Sequence, residues 1–193
     1  MKKFILLLLP LLAISFTSAY SSQEQKEAYE RAYSKWITTQ PFEKANLNWY
    51  ITRQQLAKML VRFYEARRWE IVYVSDPNAC PFTDKASITE DLKPYVHAAC
   101  ELWYMGVWIK KFNPTWKVTR AQFGTTLSRV MFWWHFDGWT PYYQKHLEWL
   151  KNKWIMDNIS NPNTNEKRGD IMVILKKAND ELDNEIKELM SDK

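Results

Sequence analysis

The sequence is short of glycine. Four glycines stand among 193 residues, where an average usage of ~7% would give about 13. With only eight prolines as well, a collagen-like or low-complexity chain is excluded. Cysteine and histidine are equally sparse, represented by Cys80 and Cys100 and by His97, His135 and His146. The histidines show no ligand spacing with either cysteine. His97 and Cys100 lie three residues apart, but two ligands do not make a zinc site. There is no Gly-rich phosphate loop, His-Glu-x-x-His motif or nucleophile elbow. The carboxylates Asp84, Glu90 and Asp91 read as a turn and a helix start. The sequence therefore predicts a non-enzymatic protein that holds no metal and needs no cofactor.

Apolar residues make up 46% of the chain, an ordinary globular content that argues against disorder, and the length suits one domain or a compact set of repeats. Lys2 and Lys3 precede an apolar run from Phe4 to Ile14 and then Thr17-Ser18-Ala19, the order of a secretory signal cleaved after Ala19. The run is too short for a membrane anchor, which needs ~20 residues. No cysteine follows it, which argues against a lipoprotein, and no later stretch is long and apolar enough to span a bilayer. Cleavage removes two lysines from a net charge of +5. So mild an excess, on an exported chain, argues against nucleic-acid binding and suits an acidic wall polymer or another anionic surface. Export also places Cys80 and Cys100 in an oxidising compartment, where two thiols usually pair.

Three segments, Ser34 to Phe63, Tyr104 to Phe132 and Lys151 to Ala178, can be laid over one another. Aligned on Arg53, Arg120 and Arg168, they place Leu56, Phe123 and Ile171 three residues on, and Leu60, Leu127 and Leu175 seven on. That spacing is one helix face in each copy. Pro114 and Pro162 both stand six residues before their arginine. Internal repetition is thus the main organising feature. Further helices are expected over Glu24 to Lys35, Glu90 to Tyr104, and Pro141 to Lys153 with Pro141 in the first turn. Pro41, Asp76-Pro77-Asn78, Asn113-Pro114 and Asn161-Pro162 mark loops, and the Ile71 run (IVYV) is the only strand-like piece. The prediction is an all-α chain of helix-loop-helix units.

The helix starts carry the chemistry. Thr52 and Gln55, and likewise Thr119 and Gln122, have the spacing of a capping box. The arginine after each threonine is not explained by capping, because a cation is disfavoured at the positive end of a helix. Repeated there beside unsatisfied N–H groups, it reads as an anion receptor. The other reading is a solvated arginine, or one salt-bridged to a neighbouring repeat.

At these residues the sequence resembles S-layer homology domains. ITRQQLAKML and VTRAQFGTTLSRVM are similar to the family's Thr-Arg-Ala-Glu signature, PFTD (Pro81 to Asp84) to its Phe-x-Asp opening, and FNPTWKVTRAQF to its Phe-x-Pro-Asn-Gly stretch. The resemblance runs from about Ala28 to Ala178. The first repeat lacks a clear opening, the third has Lys167-Arg168-Gly169-Asp170 in place of the signature, and Gln55 and Gln122 replace the usual Glu. The resemblance implies a single module over 20–193, with repeats at roughly 28–66, 81–133 and 141–180 in a pseudo-threefold arrangement around a central helical bundle. Asp180 to Lys193 would be a charged helical tail. It also implies noncovalent anchoring to an anionic cell-wall or cell-envelope polysaccharide, often pyruvylated, in which Arg53 and Arg120, and more weakly Arg168, contact the ligand. Several such sites acting together would retain the protein at the wall. In the competing class, the same grooves receive another exported protein of the envelope.

The tryptophans are as abundant as the glycines are scarce, with 11 in the chain. Trp36 and Trp154 align opposite Gly106 at the turn after a helix, where positive φ is needed. Trp49 and Trp116 fall at the glycine of the family's Asn-Gly turn, and Trp139 lies in the turn between Gly138 and Thr140-Pro141. Two readings compete: exposed rings that stack on sugars, or UGA codons written as tryptophan in a bacterium that decodes UGA as glycine. The positional coincidence favours recoding, which requires these residues to be exposed or to adopt positive φ.

Overall fold

A computed structural model describes residues 20–76, 79–133 and 135–191. The export segment assigned to residues 1–19, the Pro77-Asn78 part of one expected loop and the last two residues of the tail lie outside the described residues. Among those described, the fold is all-α: α1 (Ser22–Ser34), α2 (Arg53–Arg68), α3 (Lys93–Glu101), α4 (Arg120–Phe132), α5 (Gln144–Asn152) and α6 (Arg168–Ser191). There is no strand. The Ile71 run is irregular, and its partly buried Val72 and Val74 pack on the core without a pairing partner. The helix expected from Glu90 begins as a 3-10 turn over Glu90–Leu92 and becomes α-helical at Lys93. Pro141 follows a cis peptide bond and stands three residues before α5 rather than in its first turn.

The helices pack in pairs, α1 on α6, α2 on α3 and α4 on α5. Each presents the apolar face its sequence spacing predicts. Leu56, Leu60 and Phe63 of α2, Phe123 and Leu127 of α4, and Ile171, Ile174 and Leu175 of α6 are all buried in one core. The α1–α6 pair is close at Gly169, where a Cβ would stand 2.7 Å from Cδ of Gln25. Beside it, Gln25 Nε2 donates to Asp170 Oδ1 at 2.9 Å. The C-terminal half of α6 is held by cations from three other parts of the chain: Arg31 on Asp180, Arg67 on Asp183, and Lys153 on Glu181 and Glu185.

Cys80 and Cys100 form a disulfide with their Cα atoms 6.3 Å apart, joining the chain ahead of Pro81 to the end of α3. Closing a loop of this length stabilises the fold by about 3 kcal/mol in the chain-entropy picture. The Cys80→Ala, Cys100→Ala protein is expected to lose about that much in urea denaturation, with little change in helical circular dichroism.

Two buried imidazoles make stability pH-dependent. His146 is fully buried, with Nε2 2.9 Å from Asp137 Oδ1. Burial pushes it below the ordinary histidine range, opposed by Asp137. His97 is pushed the same way, again mainly by burial. A depressed native pKa means that the unfolded chain takes up protons first as the pH falls, so stability is lost through the ordinary imidazole range. The melting temperature is expected to drop between about pH 7.5 and about pH 5.5. The slope should be shallower in His146→Gln.

Candidate functional site

The starts of α2, α4 and α6 are built alike and tied to one another. Arg53 N–H donates to the Trp116 carbonyl at 2.9 Å and Gln54 N–H to that of Pro114 at 3.1 Å. Arg120 and Ala121 N–H donate in the same way to the Thr164 and Pro162 carbonyls, each at 2.8 Å. Arg168 and Gly169 N–H donate to the Trp49 and Leu47 carbonyls at 2.8 and 2.9 Å. Isolated bridges Tyr50–Lys167, Thr52–Lys117 and Thr119–Asn165 follow the same circuit. Each helix start is thus clamped by the loop that precedes another, and the three contacts close a ring.

This ring changes the expected chemistry. An anion receptor at a helix start needs free first-turn N–H groups, but neighbouring carbonyls already occupy the first two at each of these helices. Capping uses further groups. At Thr119 both halves of the box form: Gln122 N–H donates to Thr119 Oγ1, and Thr119 N–H to Gln122 Oε1, each at 3.3 Å. At Thr52 the backbone N–H donates to Gln55 Oε1 at 3.0 Å, while the Thr52 hydroxyl has no hydrogen bond of normal geometry. Any anion recognition at these helix starts therefore falls to the guanidinium groups rather than to the helix ends.

The three arginines have different surroundings. Arg53 sits over the Phe112 ring, 4.9 Å from its centroid, and its Nε donates to the Phe112 carbonyl at 2.7 Å. No carboxylate pairs with it among the described residues, and neither Nη has a hydrogen-bonding partner there. Burial pulls its pKa down, opposed by Tyr142 and Asp84, although a guanidinium remains charged throughout the accessible pH range. The Asp84 carboxylate is engaged elsewhere. Its two oxygens accept from Phe112 N–H at 2.9 Å and Asn113 N–H at 2.8 Å, which fixes the loop ahead of Arg120. This is the structural task of Asp84 at the end of the Pro81–Asp84 segment.

Arg120 is instead neutralised within the chain. Its Nε donates to Glu166 Oε1 at 2.6 Å, both side chains being largely buried, and Nη1 donates to the Ser160 carbonyl. Of the two readings of the arginine, the salt bridge to a neighbouring segment is the one realised here. Sequence comparison could have signalled it: two residues before the aligned arginines stand Ile51 and Val118, but Glu166 in the third segment. Arg168 occupies the same ring position despite its divergent surroundings, with Nη1 donating to Gln40 Oε1 at 3.3 Å and a buried Nε left without a partner.

Two sizeable clefts adjoin these groups. The first, about 590 Å³, is lined by Arg53, Gln122, Thr125, Thr126, Arg129 and Tyr142, among others. The Thr125 hydroxyl is buried there without a hydrogen-bond partner. Arg129, which also lines the cleft, is paired with Asp137, so Arg53 is the cleft's cation without a carboxylate partner. The second, about 480 Å³, is lined by Arg120, Glu166, Lys167, Asp170, Tyr50 and Asn165, a set in which charges of both signs already face one another. Thr125, Arg129 and Tyr142 carry no motif in the sequence; the cleft between α4 and the turn segment around Gly138 brings them together with Arg53.

Among the described residues no group of three or more His, Cys, Asp or Glu side chains is placed to hold a metal ion, and no helix is long and apolar enough to cross a membrane. No family model matches the chain, and no curated protein matches it either.

Proposed function

We propose that the chain is a non-catalytic, exported module of three S-layer-homology-like repeats that binds an anionic cell-envelope glycan through the Arg53 cleft. The hydrogen-bonded ring of helix starts would be the joint between repeats in a pseudo-threefold body. The disulfide suits an exported protein. The observation that carries the reading is the state of Arg53: a partly desolvated guanidinium that faces a cleft with both Nη groups unengaged. Such a group favours a carboxylate able to accept two parallel hydrogen bonds. The Thr125 hydroxyl and the Tyr142 ring supply neutral contacts suited to a sugar. The Arg120 cleft, already balanced by Glu166, is a poor anion receptor, so the module would have one strong groove rather than equal ones.

Co-sedimentation with protein-stripped cell walls from the source organism tests the reading. Pelleting that falls with added salt and disappears in Arg53→Ala, but persists in Arg120→Ala, is the expected result. Pelleting only with walls that retain their proteins would redirect the cleft to a protein partner of the envelope. Equal pelleting of all three proteins would reject the arginine mechanism.

A further inference from the structure

Among the described residues eight other than glycine adopt positive φ, and six of them are tryptophan: Trp36, Trp69, Trp103, Trp108, Trp133 and Trp154. The other two are Asn113 and Asn161, the residue type that tolerates this region after glycine. Chance does not concentrate a bulky aromatic residue in a conformation that penalises any Cβ.

Three of the six occupy one motif. After α1, Ile37 N–H donates to the Ala32 carbonyl and Trp36 N–H to that of Tyr33. After α3, Tyr104 N–H donates to Ala99 and Trp103 N–H to Cys100; after α5, Ile155 N–H donates to Leu150 and Trp154 N–H to Lys151. This is the Schellman ending, in which the residue just past the helix is left-handed and is usually glycine. Here φ is 59°, 63° and 58° in turn, and the following residue, Ile37, Tyr104 or Ile155, is buried in each case. The register also corrects the sequence alignment: Trp103, not Gly106, is the counterpart of Trp36 and Trp154. Trp69 ends α2 in the same left-handed region, at φ 56° and ψ 32°. Trp133 ends α4 at φ 57° and ψ −147°, close to a region that is essentially reserved for glycine. Trp108 turns the chain two residues after Gly106, itself at φ 78°.

The side chains give no reason for the strain. Strained backbone persists when surrounding contacts over-determine it, yet Trp36, Trp69, Trp108 and Trp154 are 70%, 95%, 80% and 80% exposed. The turns dictate the conformation, and these four rings are largely exposed; the rings of Trp103 and Trp108 also meet each other, with centroids 5.8 Å apart. Trp149 is the internal contrast. It lies within α5, partly buried, with its ring 4.4 Å from that of Phe132 and 5.8 Å from that of Phe136.

We infer that Trp36, Trp69, Trp103, Trp108, Trp133 and Trp154 are glycine in the protein as its own cell makes it. Each would be encoded by UGA, decoded there as glycine and written here as tryptophan. Trp149 is a true tryptophan encoded by UGG. At Trp49, Trp116 and Trp139 the residues are exposed, as recoding required, but φ is not positive and the backbone makes no demand for glycine. Thr164 occupies the ring position equivalent to Trp49 and Trp116 without strain, so the turn itself does not require glycine there.

Peptide mass mapping of the protein purified from its source cells, set beside the coding DNA, decides the matter. Glycine masses at all six positions over TGA codons, with tryptophan at Trp149 over TGG, are expected. A tryptophan mass at any of the six overturns the inference at that position, and TGG codons at all six overturn it altogether. Glycine at Trp149 would show that backbone geometry does not distinguish the two kinds of site. None of these outcomes depends on whether the protein binds a glycan.

Discussion

Arg53→Ala is expected to lower the affinity for an acidic wall polymer by roughly 100-fold, about 2.7 kcal/mol. The magnitude follows from losing a forked, charge-assisted contact in a partly desolvated cleft, where one hydrogen bond to a charged group contributes about 1.5–3 kcal/mol. Arg53 Nε also holds the Phe112 carbonyl, so alanine removes a structural bond as well. Arg53→Lys separates the two roles. It keeps the charge and loses the planar fork, and should retain part of the affinity with steeper salt dependence. Titration of both variants, after thermal melting has shown them folded, measures the effect. Affinity equal to that of the unsubstituted protein in the alanine variant would remove Arg53 from the site.

Restoring glycine at the six left-handed tryptophans is expected to stabilise the recombinant chain by about 5 kcal/mol and to raise its melting temperature by about 15 °C. A residue with a Cβ costs about 1 kcal/mol in this region, and a chain of this size gains about 2–4 °C for each kcal/mol. The six turns lie at different helix ends and loops, so their effects should nearly add. The exception is Trp103 and Trp108, whose rings meet at 5.8 Å and will couple. Trp149→Gly should act in the opposite direction, because it removes an aromatic contact and places glycine inside a helix. A neutral or destabilising outcome for the Trp36→Gly, Trp69→Gly, Trp154→Gly set would contradict the claim that these turns require glycine.

The sequence carried most of the helical fold because its apolar spacing is regular. Leu56 and Leu60, Phe123 and Leu127, and Ile171 and Leu175 lie buried as that spacing predicts. The failures are of two physical kinds. Local ones came from reading turns by residue type. Pro141 has the sequence setting of a helix start but precedes α5, and the β-branched Ile71 run has no strand to pair with among the described residues. The repeat alignment sets Gly106 opposite Trp36 and Trp154, although hydrogen bonding places Trp103 there. The others are long-range. Carbonyls of Trp116, Pro114, Thr164, Pro162, Trp49 and Leu47 fill the helix starts, and no local pattern announces a partner dozens of residues away. Arg53 and Arg120 stand alike in the sequence pattern, whereas in the fold Glu166 neutralises Arg120 and leaves Arg53 as the cation without a carboxylate partner in its cleft.

Calorimetric titration of the folded, mature protein with purified acidic wall polymer, compared with the same polymer after its carboxyl groups are reduced to alcohols, tests the glycan-anchoring account most directly. Binding to the native polymer that weakens with salt, and that disappears on reduction and in Arg53→Ala alike, is the predicted result. Equal binding of the native and reduced polymers would contradict it, because the Arg53 cleft would then not be reading a carboxylate.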